Sequence, residues 1–391
     1  MMGGWHRKDH APVARRAGGR RAGLWALVAL LLAGVMTGCA GGLRHESWPG
    51  LAVADDTLYV ANLAQVEALN AQTGKLYWSF PATPDKGVGP FYSTPVLAEG
   101  VGEHGVVLVA GYADRSVYAL ALGASPAERP DELWRFSEAR GQFVGTGTVA
   151  DGLFLIGNGD GRVYALRLED GTKVWEFATR GRVWATPLVV GDTVYIASMD
   201  HHLYAVDLAT GTEAWRFKAE GAITATPLMI DNDLWFGDFA SIFYRLDLAT
   251  REASWTFETA DWVWTTAVHD GDRLYVADVG GNVYALDPAS PSVTWTASIE
   301  DVVRGRPALS EDGSLLFVAG FEKGQVHAIE TSTGEVRQSW GVQLQNPGRL
   351  PGDLVTDGDQ LYTMPILVDE RVQAFSLASG ELLWTAPGTA E

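Results

Sequence analysis

Two clusters have residue types suited to chemistry, and each would support a different kind of site. Asp200-His201-His202 sets a carboxylate beside two imidazoles, the donor types of a transition-metal centre. Adjacent residues on a strand point to opposite faces, however, so three in a row cannot converge on one ion. The triplet also falls where another part of the chain has Asp160-Gly161, so it reads as the tip of a hairpin. Gly157 to Gly161 spells G-N-G-D-G and imitates a phosphate-cradling loop. Such a loop works by opening a helix whose first amides face the anion. No helical periodicity follows this one, and it lies between two strand-like runs. Asp55-Asp56 and the Asp231/Asp233 pair fall in the register of Gly191-Asp192 and read as turn acids. No serine, histidine and acid arrangement stands out.

The single cysteine, Cys39, has a different context. Arg7, Lys8, Arg15, Arg16, Arg20 and Arg21 precede the apolar run Leu24 to Val35, 12 residues long. That is the length of a signal-peptide core and too short to span a bilayer. The run ends in Met36-Thr37-Gly38-Cys39, which resembles a bacterial lipobox, with Cys39 as the lipidated first residue of the mature chain. The expected organisation is a leader over 1–38, a lipid-anchored tether over 39–47 and a folded domain over 48–391. Losing the leader removes six bases and one acid (Asp9), taking the net charge from −19 to −24. So acidic a surface disfavours nucleic acid and a polybasic membrane face. With one cysteine there is no intramolecular disulfide.

The elements that position any site are written as a repeat. Thr186 to Phe217 and Thr226 to Phe257 agree almost position for position. Trp78, Trp134, Trp175, Trp215, Trp255, Trp295, Trp340 and Trp384 follow at steps of 56, 41, 40, 40, 40, 45 and 44, and the longest step holds the insertion ASPAERPDE. Each unit carries four short apolar or β-branched runs separated by turn residues, with alternation of period two. Eight units of four antiparallel strands predict an all-β, eight-bladed β-propeller. The eight Trp residues are expected to wedge between blades. Gly74, Gly171, Gly211 and Gly380, each four residues before a Trp, supply the positive φ of a tight turn. Because each unit starts with strand one and ends with strand four, no exchanged closing strand is required.

In a propeller, the first strands and the loops before them converge on the axis. Two residues before Thr-Pro or its equivalent stand Tyr92, Val144, Trp184, Thr224, Trp264 and Arg304. Neighbouring loops add Arg180, Arg182, Glu220, Glu258, Asp261, Trp262, Glu300, Asp301 and Arg306. Aromatics and arginines gathered at one mouth suit a peptide strand or a flat ligand; the same residues also fit an ordinary channel lining. Trp184 and Trp264 are the leading pair, since neither occupies the structural Trp register.

The repeat TP-apolar-x-V-Y…LYA-x-D-x-x-TG-x-x-x-W-x-F resembles the pyrroloquinoline-quinone-type propeller repeat from Trp48 to Trp384. Together with the lipobox and the chain length, it resembles the BamB family of lipoproteins. That resemblance implies a non-catalytic scaffold of the outer-membrane barrel assembly machinery, bridging protein partners, among them periplasmic domains of the barrel-inserting subunit. It also implies a monomeric propeller with no cofactor, on the periplasmic face of the outer membrane. Ala40 after the lipobox cysteine, rather than Asp, agrees with that sorting. In a cell with one membrane, the same chain would be a surface-displayed ligand-binding propeller. The competing resemblance is to quinoprotein dehydrogenases, which hold pyrroloquinoline quinone with Ca²⁺. Their vicinal Cys-Cys ring is excluded by the single cysteine, no Cys-x-x-Cys-His haem motif occurs, and no calcium ligand set matches.

Overall fold

The computed structural model of the chain describes residues 48–62, 65–85, 87–337, 340, 348–366 and 371–387, all within a unit spanning Glu46–Glu391. The leader, Cys39 and the tether lie outside the described residues. Every regular element described is a strand, and consecutive strands pair antiparallel into eight separate sheets, the blades of a propeller. Blade 4 shows the plan. Leu188–Val190, Thr193–Ala197, His202–Asp207 and Glu213–Lys218 pair in chain order, with Leu188 opposite Tyr195, Ala197 opposite Leu203 and Ala205 opposite Trp215. Seven blades have four such strands. Blade 7 has three, Ala308–Leu309, Leu315–Gly320 and Gln325–Glu330, with a bridge from Ile329 to Val336 marking its fourth position.

The second and third strands are buried on both sides, since each blade packs one face on its predecessor and the other on its successor. Val163, Ala165 and Phe177 of blade 3, for example, pack with Val194, Ile196 and Tyr204 of blade 4. Each four-stranded blade also carries a bulge in its outer strand. In blade 4, Ala205 faces Trp215 but Val206 faces Glu213, so Ala214 is the extra residue. The bulge bends the strand where the Trp must turn inward.

The Trp residues fasten each blade to the next. Trp134 Nε1–H donates to the Leu168 carbonyl (2.9 Å), Trp175 to Leu208 (2.8 Å), Trp295 to Thr331 (2.8 Å) and Trp340 to Leu377 (3.1 Å). The carbonyl always lies just past the third strand of the following blade, near the turn that holds the glycine. Gly211 has φ +70°, and a Cβ there would sit 2.7 Å from the Trp175 ring. Both its conformation and its contact therefore demand glycine. In blade 5 the position is Arg251, which keeps a φ of 62° and lays its guanidinium 5.7 Å from the Trp215 ring centre.

The ring closes by the same device, without an exchanged strand. Trp384 Nε1–H of blade 8 donates to the Ala71 carbonyl of blade 1 (3.1 Å), while the Tyr362 hydroxyl beside it donates to Asp357. Leu58, Val60 and Leu69 pack there on Tyr362, Val372 and Ala374. Replacing Gly211→Ala is expected to destabilise the protein by about 2 kcal/mol, from left-handed backbone strain plus displacement of Trp175. Urea unfolding measures this, and Gly152→Ala, also at positive φ but with open space around it, is expected to cost less.

Candidate functional site

The inner ends of several blades are tied to the next by threonines that lie at the entry to each first strand. Thr94 N–H donates to Thr146 Oγ1 in the next blade (3.3 Å), Thr186 to Thr226 (3.0 Å) and Thr226 to Thr266 (3.1 Å). Between blades 7 and 8, Arg306 N–H donates to Asp353 Oδ1 (2.7 Å). Packing there is tight enough that a Cβ on Gly145 would stand 2.0 Å from the Trp184 carbonyl oxygen. These ties hold the residues two positions earlier around an axial cavity of about 180 Å³.

Trp48, Tyr92, Val144, Trp184, Thr224, Trp264, Arg304 and Pro351 line that cavity, one from the entry to each blade, and Arg306 joins them. Trp48 and Pro351 fill the register in blades 1 and 8, where Gly50-Leu51 and Asp353-Leu354 stand in place of the Thr-Pro signature and hid it. Arg182 is not part of the wall, but its guanidinium lies 5.7 Å from the Trp184 ring centre. The Trp184 and Trp264 rings are 6.2 Å apart at 43°. Phe239 stacks on both Trp264 (5.2 Å, 25°) and Trp262 (5.2 Å, 15°), extending the pair into a four-ring surface. Phe239 sits at a hairpin position held by Gly159 and Met199 in blades 3 and 4, and that break in the repeat was its only signal in the sequence. Arg304 stacks 4.0 Å from the centre of the buried Phe321 ring and 6.0 Å from Trp264. Backbone bonds from Met199 N–H to Arg182 O (2.9 Å), Phe239 to Ala222 (3.0 Å) and Val279 to Trp262 (2.8 Å) fix the loops.

Around this mouth the hairpin acids have structural work. In blades 2 to 6 a third-strand Tyr donates to the Asp of the preceding turn: Tyr118 to Asp114, Tyr164 to Asp160, Tyr204 to Asp200, Tyr244 to Asp238 and Tyr284 to Asp278. Asp200 Oδ2 also accepts from Arg180 N–H (2.7 Å). Burial pushes its carboxyl up, but bonds from Tyr204, the Arg180 and His202 amides and Ser198 outweigh this and hold it below the usual carboxylate range. Burial and the Asp200 bond raise Tyr204 to about 12. His201 takes the positive φ of 71° that Gly161 has in blade 3, so the Asp-His-His triplet is a hairpin tip. Among the described residues, no three His, Cys, Asp or Glu are placed to hold a metal ion. One turn acid is corrected: Asp233 begins the strand Asp233–Gly237, is buried, and pairs with Arg245 at 2.7 Å.

Eight consecutive blades, the Trp–Gly fastening and an axial mouth define a propeller of the pyrroloquinoline-quinone-type repeat class. A family profile described as "Outer membrane protein assembly factor BamB" matches residues 24–127, 122–234, 238–313 and 304–391, and the chain belongs to that family. The "Outer membrane protein assembly factor BamB" of Salmonella typhimurium (strain LT2) is 31% identical over 146 residues. That match covers 34% of this chain and 33% of the Salmonella protein, about a third of each. Among solved structures, the crystal structure of BamB from Moraxella catarrhalis has a TM-score of 0.69 at 17% identity, covering 86% of this chain and 99% of the other. The computationally designed Ika8 protein has a TM-score of 0.67 at 13% identity, covering 85% and 97%. At these identities the two structures speak for the fold alone.

The Asp–Tyr register is abandoned in three neighbouring blades, where its third-strand position holds His327 in blade 7, Gln373 in blade 8 and Glu67 in blade 1. Glu67 is 0% exposed and neither carboxylate oxygen has a hydrogen-bond partner. It shares its strand face with Leu69, which packs toward blade 8 at the ring closure. Burial raises the Glu67 carboxyl from 4.5 to about 8. The folded state therefore favours the protonated acid. The contribution of this group to stability is full below pH 4.5 and is lost as pH rises through about 8. Relative to Glu67→Gln, wild type is expected to weaken across that window, with a limiting slope of about tenfold in the unfolding constant per pH unit. Urea midpoints of both proteins over a pH series measure it, and parallel profiles would contradict the assignment.

Proposed function

We propose that this chain is a non-catalytic, lipid-anchored extracytoplasmic scaffold that holds protein partners of an outer-membrane assembly complex at its axial mouth. The observation that carries the reading is the mouth itself. Trp184, Phe239, Trp262 and Trp264 form a half-buried aromatic surface set among arginines and fixed by backbone bonds, the composition of a protein-binding hot spot. Rigid loops lose little entropy on docking, which suits a standing scaffold. The leader and Cys39 support an anchored location outside the cytoplasm, and the partner class follows from membership of the outer membrane protein assembly factor family.

Tagged protein extracted from its own membranes in mild detergent should retain a specific set of membrane proteins. The double variant Trp184→Ala/Trp264→Ala should lose those partners by roughly tenfold or more, as truncation of central aromatic anchors does. Quantitative mass spectrometry of the captured proteins reads the result. Unchanged capture by a variant whose thermal midpoint is unchanged would place docking elsewhere on the propeller.

A further inference from the structure

The axial cavity has a charge and a polar wall that the aromatic surface above it does not require. The protein carries a net charge of −19, yet Arg304 and Arg306 line this cavity and Arg182 lies over one of its tryptophans. The acid in the wall is Asp353, whose Oδ1 already accepts the Arg306 amide. Thr224 and Thr265 also line it, 8% and 4% exposed, and each has a buried Oγ1 with no hydrogen-bond partner. Both are close in sequence to threonines that are bonded from blade to blade. A buried hydroxyl without a partner costs about 1–3 kcal/mol and is rare without a reason. At about 180 Å³ the cavity admits one six-membered ring, since roughly 150 Å³ accommodates benzene.

We propose that the axial cavity is a receptor for a carboxylate carried beside a flat apolar ring, with the ring against Trp184 and Trp264, the carboxylate facing Arg304 and Arg306, and the Thr224 and Thr265 hydroxyls donating to it. Guanidinium and carboxylate match in planarity and in paired, charge-assisted hydrogen bonds. The aromatic faces hold the ring. The carboxylate has two possible sources, a free aromatic acid or an acidic residue flanked by aromatic ones in a partner chain. This inference rests on reading the mouth as a binding site and names what its centre recognises.

The test is calorimetric titration of the full chain in detergent with benzoate, its neutral isostere benzamide, and the blocked tripeptide acetyl-Phe-Glu-Phe-amide. Benzoate or the tripeptide should bind at least about tenfold more tightly than benzamide, the margin of a charge-assisted bond. Benzoate binding without the tripeptide assigns a free acid, and tighter tripeptide binding assigns a partner segment. Arg304→Gln/Arg306→Gln should abolish the preference. If that variant does not fold, Thr224→Val and a salt series decide, each expected to weaken benzoate severalfold. Equal binding of benzamide and benzoate, or no binding of either acid at millimolar concentration, would overturn the proposal. Capture of membrane partners that persists despite such a failure would leave the scaffold reading intact and reject this receptor alone.

Discussion

A sheet whose inner strands are apolar on both faces cannot stand in water alone, and this constraint organises the molecule. Each blade buries one face on the blade before it and the other on the blade after. In five blades the repeat Trp completes the fastening by donating its one N–H to a carbonyl of the next blade: Trp134, Trp175, Trp295, Trp340 and Trp384. The sequence of blades must then return on itself, because a first and a last blade would otherwise each leave an apolar face exposed. Trp384, bonded to the Ala71 carbonyl, and Tyr362, packed on Leu58, Val60 and Leu69, make that return with side chains alone.

The closed ring sets the geometry of the axis, where we propose that partners dock. The threonine ties make the inner register rigid, so side chains two residues earlier are held at fixed spacing around the cavity. Where the ring needs nothing of that register, the residues are free to vary, and it runs from Val144 through Trp184 and Thr224 to Arg304. In blades 2 to 6 the hairpins of the same face are also fixed by Asp–Tyr pairs, so Phe239, at the position of Gly159 and Met199, adds to the aromatic surface without loosening it.

Much of this was legible in the sequence because a repeat states the same physical requirement many times. The Trp step, the glycines and the Thr-Pro pairs gave blade number, strand order and the axial register of Tyr92, Trp184, Trp264 and Arg304. What escaped were departures from the repeat. Trp48 and Pro351 were hidden by local sequence that lacks Thr-Pro, and Phe239 by a hairpin position that varies from blade to blade (Gly159, Met199, Val279). Asp233 looked like a turn acid because its strand begins one residue after the bend. Glu67 passed unnoticed because burial is a property of the neighbouring blade, which no local pattern reveals. The outer-strand bulge was invisible for a similar reason: it is a relation between two strands.

The central claim is that partners dock at the axial mouth. Site-specific photo-crosslinking in intact cells tests it most directly, with a benzophenone side chain placed at Phe239 on the mouth and, separately, at Val174, which is 42% exposed on the outer edge of blade 3. A discrete protein adduct from Phe239 and none from Val174 is the predicted result. Adducts from Val174 with none from Phe239 would contradict it and move the binding surface to the rim.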